Sequence, residues 1–278
     1  MAFFKSLHPR QFFTVLHRID QQSQVSVEPV RPSQRVFFTL FFVGLCLLLV
    51  NYAKFNGAFF WFYELFQSGD SLSLQRAFMY LRRDPFYELY QHAWWGFIHV
   101  LGFFILPALF IRCYLKERLN QHGLQWGAVH RHLKWYLVLV APILCGVVVV
   151  SFRDDFASHY PFYRNAGRSW LDFLLWESIY IGQFVVLEFF FRGFMLNALR
   201  PAMGAQGILV MCLPYLMLHF SKPWIEATGA LFFGLFLGIL ALHSRSIWGG
   251  VGVHVSIALA MDVAALMQTR GLPQQWTP

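Results

Sequence analysis

Charge is what this sequence has least of. Asp, Glu, Lys and Arg make up 13% of its 278 residues, against about 25% in an ordinary soluble domain. That scarcity excludes a disordered chain, a coiled coil and a typical cytosolic enzyme. Cysteine is scarce too: Cys46, Cys113, Cys145 and Cys212 stand alone, with no CxxC pair, so neither a zinc ribbon nor a disulfide framework is expected. There is no HExxH metal pattern, no internal repeat and no low-complexity segment. The start of the chain carries no short apolar stretch ending in a small-residue cleavage site, so no cleavable signal peptide is expected.

What is present is apolar. Hydrophobic residues reach 57%, aromatic ones 19%, and phenylalanine alone occurs 32 times. A helix needs about 20 mostly apolar residues to cross a hydrocarbon core of about 30 Å. Seven segments qualify: Val36–Ala53, Ala93–Cys113, Trp135–Phe152, Trp170–Leu199, Gln206–His219, Ala227–His243 and Ile247–Met267. Phe59–Phe66 is shorter and reads as an interfacial helix or half-span. The fold class predicted is all-α: a polytopic transmembrane bundle of about seven to eight helices.

The net charge of +8 calls for no nucleic-acid partner, because membrane proteins concentrate Lys and Arg in cytoplasmic segments. Lys5, Arg10, Arg18, Arg31 and Arg35 lie in the first 35 residues; Arg112, Lys116, Arg118, Arg131 and Lys134 lie around the second connection, with Glu117 the acid among them. The outer segments carry nine Lys and Arg, spread more thinly and mixed with acids. The predicted orientation puts the N-terminus in the cytoplasm, and the setting expected is a bacterial cytoplasmic membrane. Residues 1–35 read as a basic tail on the membrane surface, with Phe3, Phe4, Leu7, Phe12 and Leu16 as its apolar face and Pro9 as a break. Residues 36–169 read as N-terminal spans and loops, 170–267 as the functional core and 268–278 as a C-terminal tail.

Polarity divides the spans. The first three hold almost no ionisable group inside them, His99 excepted, while the rest hold Asp172, Glu177, Glu188, Arg192, His219, His254 and Asp262. A charge in lipid costs a few kcal/mol, so such groups face a partner or a wet cavity. Glu188 and Arg192 are four apart, acid first, on one helix face; the plain reading is an intramembrane ion pair. His219 closes one span and His254 follows the small residues Gly249, Gly250 and Gly252, so each alone reads as a capping or interhelical residue. Counting inward at 1.5 Å per residue from the connections 200–205 and 244–246 places Glu188 at roughly 18 Å, His219 at roughly 21 Å, His254 at roughly 12 Å and Asp262 at roughly 24 Å. These four are expected near mid-membrane, with Glu177 too far out to join them. A carboxylate or histidine can deprotonate water and a second histidine can stabilise an oxyanion, which suits hydrolysis. No cofactor is required for that chemistry; His219 and His254 are the candidate ligands if a divalent metal such as zinc takes part. His122, His130 and His132 read as solvated side chains on the basic loop.

Three segments carry a family resemblance: Leu187-Glu188-Phe-Phe-Phe-Arg192-Gly193, then Tyr215-Leu-Met-Leu-His219, then His254-Val-Ser-Ile-Ala258. They resemble the CAAX-protease and bacteriocin-processing (CPBP, or Abi) intramembrane endopeptidases, whose pattern is EExxxR, an aromatic-xxx-His helix and HxxxN. The resemblance covers roughly residues 170–265. It implies that Glu188 and Arg192 match the second Glu and the Arg, His219 the water-activating His, and His254 the oxyanion His. Leu187 stands where the family has its first Glu, and Ala258 where it has Asn. Leucine moves no proton and alanine donates no hydrogen bond, so Asp262 or Glu188 is considered as the replacement carboxylate, with Asp262 alternatively orienting His219 or lying solvated near its helix end. The implied function is hydrolysis of a peptide bond in a membrane-bound protein or peptide, with a lipidated end as one substrate class. Two alternatives stay open: an inactive relative that binds a membrane peptide or partner without cleaving it, and a small transporter using the same polar groups.

Overall fold

The structure, a computed structural model, describes residues 9–23, 31–66, 71–153, 155–222 and 224–278. Among them there are helices and no strand. In chain order these are α1 (Pro9–Ser23), α2 (Pro32–Ala53), α3 (Asn56–Phe66), α4 (Ser71–Leu81), α5 (Tyr87–Leu115), α6 (Val129–Val150), α7 (Phe156–His159), α8 (Trp170–Met203), α9 (Gln206–Met217), α10 (Trp224–Ser244) and α11 (Trp248–Thr269). Six are long and apolar enough to cross a membrane: α2, α5, α6, α8, α11 and the Glu226–Ser244 part of α10. This is a multi-pass helical membrane protein. The predicted fifth span is the exception. Its helix, α9, has 12 residues, about 18 Å at 1.5 Å per residue, short of the hydrocarbon thickness.

Two compact units make up the chain: residues 1–46, 103–138 and 187–252 form one, and residues 47–102, 139–186 and 253–278 the other. The first is an aromatic pack around α8. Phe189, Phe190 and Phe191 are all fully buried, because the wide π-helical turn Phe189–Met195 aims consecutive residues at different neighbours. Phe190 stacks on Phe103 at 4.5 Å between centroids, Phe189 meets Phe104 at 4.9 Å, and Phe191 meets Tyr215 edge-on at 5.4 Å. Helices α9 and α10 approach closely because Gly234 and Gly238 present no side chain. A Cβ at Gly234 would sit 3.1 Å from Cys212 Sγ, and one at Gly238 3.0 Å from Ile208, the small-residue packing expected in lipid.

The second unit centres on Trp176, buried with Leu89, Tyr163, Ala166, Tyr180 and Ala258. Its α8 segment starts on a capping arrangement: Ser169 Oγ accepts the Asp172 N–H at 3.1 Å, and its hydroxyl donates to Asp172 Oδ2 at 2.6 Å. Arg168 grips the same carboxylate with Nη2 at 2.7 Å and Nε at 2.9 Å. Asp172 is therefore a helix-start group and not part of a mid-membrane site.

Two expectations for the polar ends are corrected. Pro9 opens α1 instead of breaking it, since a proline at the first helical position loses no bond. Nor does α1 simply lie on a surface: Asp20 Oδ1 accepts the Ala205 N–H at 2.7 Å, beside Gly204, whose φ of +54° and missing side chain make room for the carboxylate. Lys5 and the predicted apolar contacts Phe3, Phe4 and Leu7 lie outside the described residues. His122 is also not solvated. It is 1% exposed, with Nε2 2.7 Å from Glu117 Oε2 and Nδ1 3.2 Å from the Gly193 carbonyl. Arg35 completes this cluster, giving Nη1 to Glu117 Oε1 at 2.8 Å and Nε to the Ala198 carbonyl at 2.7 Å.

Burial raises the Glu117 pKa, but the hydrogen bonds from His122 and Arg35 outweigh it and hold it at about 2, below the ordinary 4.5. A depressed carboxyl adds stability that is complete above its unfolded value and is lost as pH falls through the folded one. Thermal melts of the detergent-purified protein are expected to fall in midpoint between pH 4.5 and about 2, and Glu117→Gln is expected to flatten that fall. Equal acid slopes for the two proteins would remove Glu117 from the stability account.

Candidate active site

Glu188, Arg192 and His219 belong to the first unit, and His254 and Asp262 to the second. Glu188 is the last ordinary helical residue before the wide turn, and Arg192 lies inside it. Arg192 Nη1 is 3.0 Å from Glu188 Oε1, both side chains being buried. The guanidinium also lies over the Tyr215 ring at 4.1 Å from its centroid, a cation–π contact that gains strength away from water. The fourth wall is the first turn of α11. A Cβ at Gly250 would overlap the Glu188 carboxylate, and one at Gly249 would overlap the Tyr136 ring. Glycine is thus required at both places for α11 to come this close.

That requirement is testable. Gly250→Ala is expected to cost about 1–3 kcal/mol through overpacking. Gly252→Ala, where nothing lies within 4 Å of the new Cβ, is expected to be neutral or slightly stabilising, as alanine favours a helix over glycine. Thermal melts of the two variants side by side check the contrast.

His219 follows α9 directly. Its Nδ1 is 3.0 Å from the Tyr215 carbonyl oxygen, which can only accept, so Nδ1 carries the proton and Nε2 carries the lone pair in the neutral ring. The ring packs on Tyr215 at 4.9 Å between centroids and is half-buried. Tyr215 therefore touches both Arg192 and His219, which explains why an aromatic residue stands four before the histidine.

In the second unit the half-buried His254 stacks on Phe184 at 5.5 Å with 18° between ring planes. Asp262 is fully buried rather than solvated, and its Oδ2 accepts the Trp176 Nε1–H at 2.7 Å. Glu177, expected to lie apart, is buried close enough to Asp262 for the two carboxyl groups to interact. The depth count missed this contact because it measured from one membrane face and carried no information on which faces of α8 and α11 meet. Ala258 packs in the Trp176 cluster, and Leu187 is buried at 7% exposure; both positions are apolar. Among the described residues no three His, Cys, Asp or Glu side chains are grouped as metal ligands.

Residues 168–260 match the family model described as type II CAAX prenyl endopeptidase Rce1-like. The stretch is similar to that family and lies in a multi-pass helical membrane protein, in line with the resemblance carried by Glu188, Arg192, His219 and His254. No curated protein matches the chain, and no solved structure does.

Proposed function

We propose that the chain is an integral-membrane endopeptidase that hydrolyses a peptide bond in a membrane-bound protein or peptide, a lipidated C-terminal segment being the substrate class the family name favours. The match of residues 168–260 to a CAAX prenyl endopeptidase family carries this reading. The pinned His219 ring supports it by supplying a base with a defined lone pair. In the proposed reaction His219 Nε2 takes a proton from water as the water oxygen bonds to the scissile carbonyl carbon. The tetrahedral intermediate then collapses, the C–N bond breaks, and the leaving amine recovers the proton from His219. Glu188 is paired with Arg192, and Asp262 accepts the Trp176 N–H. Proton transfer is assigned to His219 by its match to the water-activating histidine of the family pattern, while Arg192 pairs with Glu188. The basic first 35 residues favour an N-terminus in the cytoplasm.

The second reading is a relative that binds a membrane peptide without cleaving it. The observation favouring it is apolar packing at Leu187 and Ala258, where the family pattern has Glu and Asn. The two readings separate on purified protein in liposomes given a prenylated peptide. Cleavage that disappears in His219→Ala supports the endopeptidase; retention of the peptide with no new ends supports the binder.

A further inference from the structure

The Glu117–His122 cluster borders a cavity of about 130 Å³, lined by Arg35, Glu117, Gln121, His122, Asn197, Arg200 and Pro201. All of these belong to the first unit. Its place in the fold is specific. Arg35 stands one turn into α2, Glu117 follows the end of α5, and Arg200 lies in the last turn of α8, so three apolar spans leave the hydrocarbon around it. Two arginines and one carboxylate line it, Arg35 being paired with Glu117. His122 lines it too, its ring nitrogens lying 2.7 Å from Glu117 Oε2 and 3.2 Å from the Gly193 carbonyl oxygen. Exposed Arg112 in the last turn of α5 and exposed Lys116 and Arg118 just after it lie nearby in sequence.

We propose that this cavity binds a phosphate group, that of an anionic phospholipid headgroup. Guanidinium groups bind phosphate through charge-assisted, forked hydrogen bonds, and basic pockets between spans at a membrane face suit lipid headgroups. The space is large enough for a phosphate group. Asn197 already bonds the Arg192 and Gly193 carbonyls at 2.9 and 2.8 Å, and Arg35 bonds that of Ala198. A phosphate held here therefore braces the backbone of the same wide turn that carries Arg192.

The test titrates the full chain in detergent with short-chain phosphatidic acid, with short-chain phosphatidylcholine as blank and inorganic phosphate as the free-anion arm. Saturable binding of phosphatidic acid is expected, weakened about tenfold or more in Arg200→Gln, since a charge-assisted bond is worth about 1.5–3 kcal/mol. It is expected to be unchanged in Arg131→Gln, an exposed cation that does not line the cavity. Glu117→Gln removes the carboxylate that competes for Arg35, so it is expected to tighten binding; that arm decides the matter even if Arg200→Gln folds poorly. Inorganic phosphate binding equally well, with the same Arg200 dependence, would support the phosphate chemistry and assign a free anion as its source. Absence of saturable binding, equal weakening by Arg131→Gln, or weaker binding in Glu117→Gln overturns the proposal.

Discussion

Arg192→Ala is expected to cost about 3–5 kcal/mol, the range for removing one member of a buried ion pair. Stability totals of 5–15 kcal/mol are usual, so the variant should lose most of its folded, monodisperse protein in detergent. The reason is local. Glu188 is fully buried between Arg192 and the closely approaching Gly250, so deleting the guanidinium removes the cation that offsets its charge. Arg192→Lys should recover only part of the loss, because an ammonium keeps the charge but not the planar stack on Tyr215. Replacing both partners, Glu188→Leu with Arg192→Met, should be much milder than Arg192→Ala, since apolar pairs of similar volume often substitute for buried charges. Gel filtration and thermal melts of the three variants check the order. A double variant as unstable as Arg192→Ala would show that the charge is not what matters.

His219→Ala is expected to lower the rate of peptide hydrolysis by about 10²–10⁴, the usual contribution of a general base, while leaving the melting midpoint within about 1 kcal/mol of wild type. Its ring is half-buried at the end of α9, so little packing is lost. The opposite pattern is expected at Tyr215, which is buried and touches both Arg192 and His219: Tyr215→Ala should damage stability and activity together. A His219→Ala protein that turns over at the wild-type rate would remove histidine from the chemistry, whatever its position in the motif.

Much of this was legible in the sequence because membranes impose simple rules. Runs of about 20 apolar residues have one main use, and the spacing of Glu188 and Arg192 fixes an ion pair on any helix. The motif order through His219 and His254 pointed, before any geometry, to the family whose model residues 168–260 match. What escaped the sequence is what depends on which helix faces meet. Asp262 and Glu177 are brought together by the packing of α11 on α8 in the Trp176 unit, and no count along one helix reveals a partner on another. His122 looked solvated because its neighbours are basic and its loop is polar. The structure buries it against a backbone carbonyl of the wide turn at Phe189–Met195. That turn is itself unmarked in the sequence: it changes the facing of Phe189–Phe191 without any change in residue type. Proline misled at Pro9, which starts a helix instead of breaking one.

The most direct measurement of the central claim compares wild type, His219→Ala and Leu187→Glu. Each is purified, shown to be folded, incubated with a membrane-protein extract and assayed for new peptide ends by mass spectrometry. The endopeptidase account predicts new ends from wild type that vanish in His219→Ala, with more of the same ends from Leu187→Glu, which restores the carboxylate of the family motif. No new ends from wild type, with ends appearing only in Leu187→Glu, would contradict it and establish a folded relative whose catalysis has been lost.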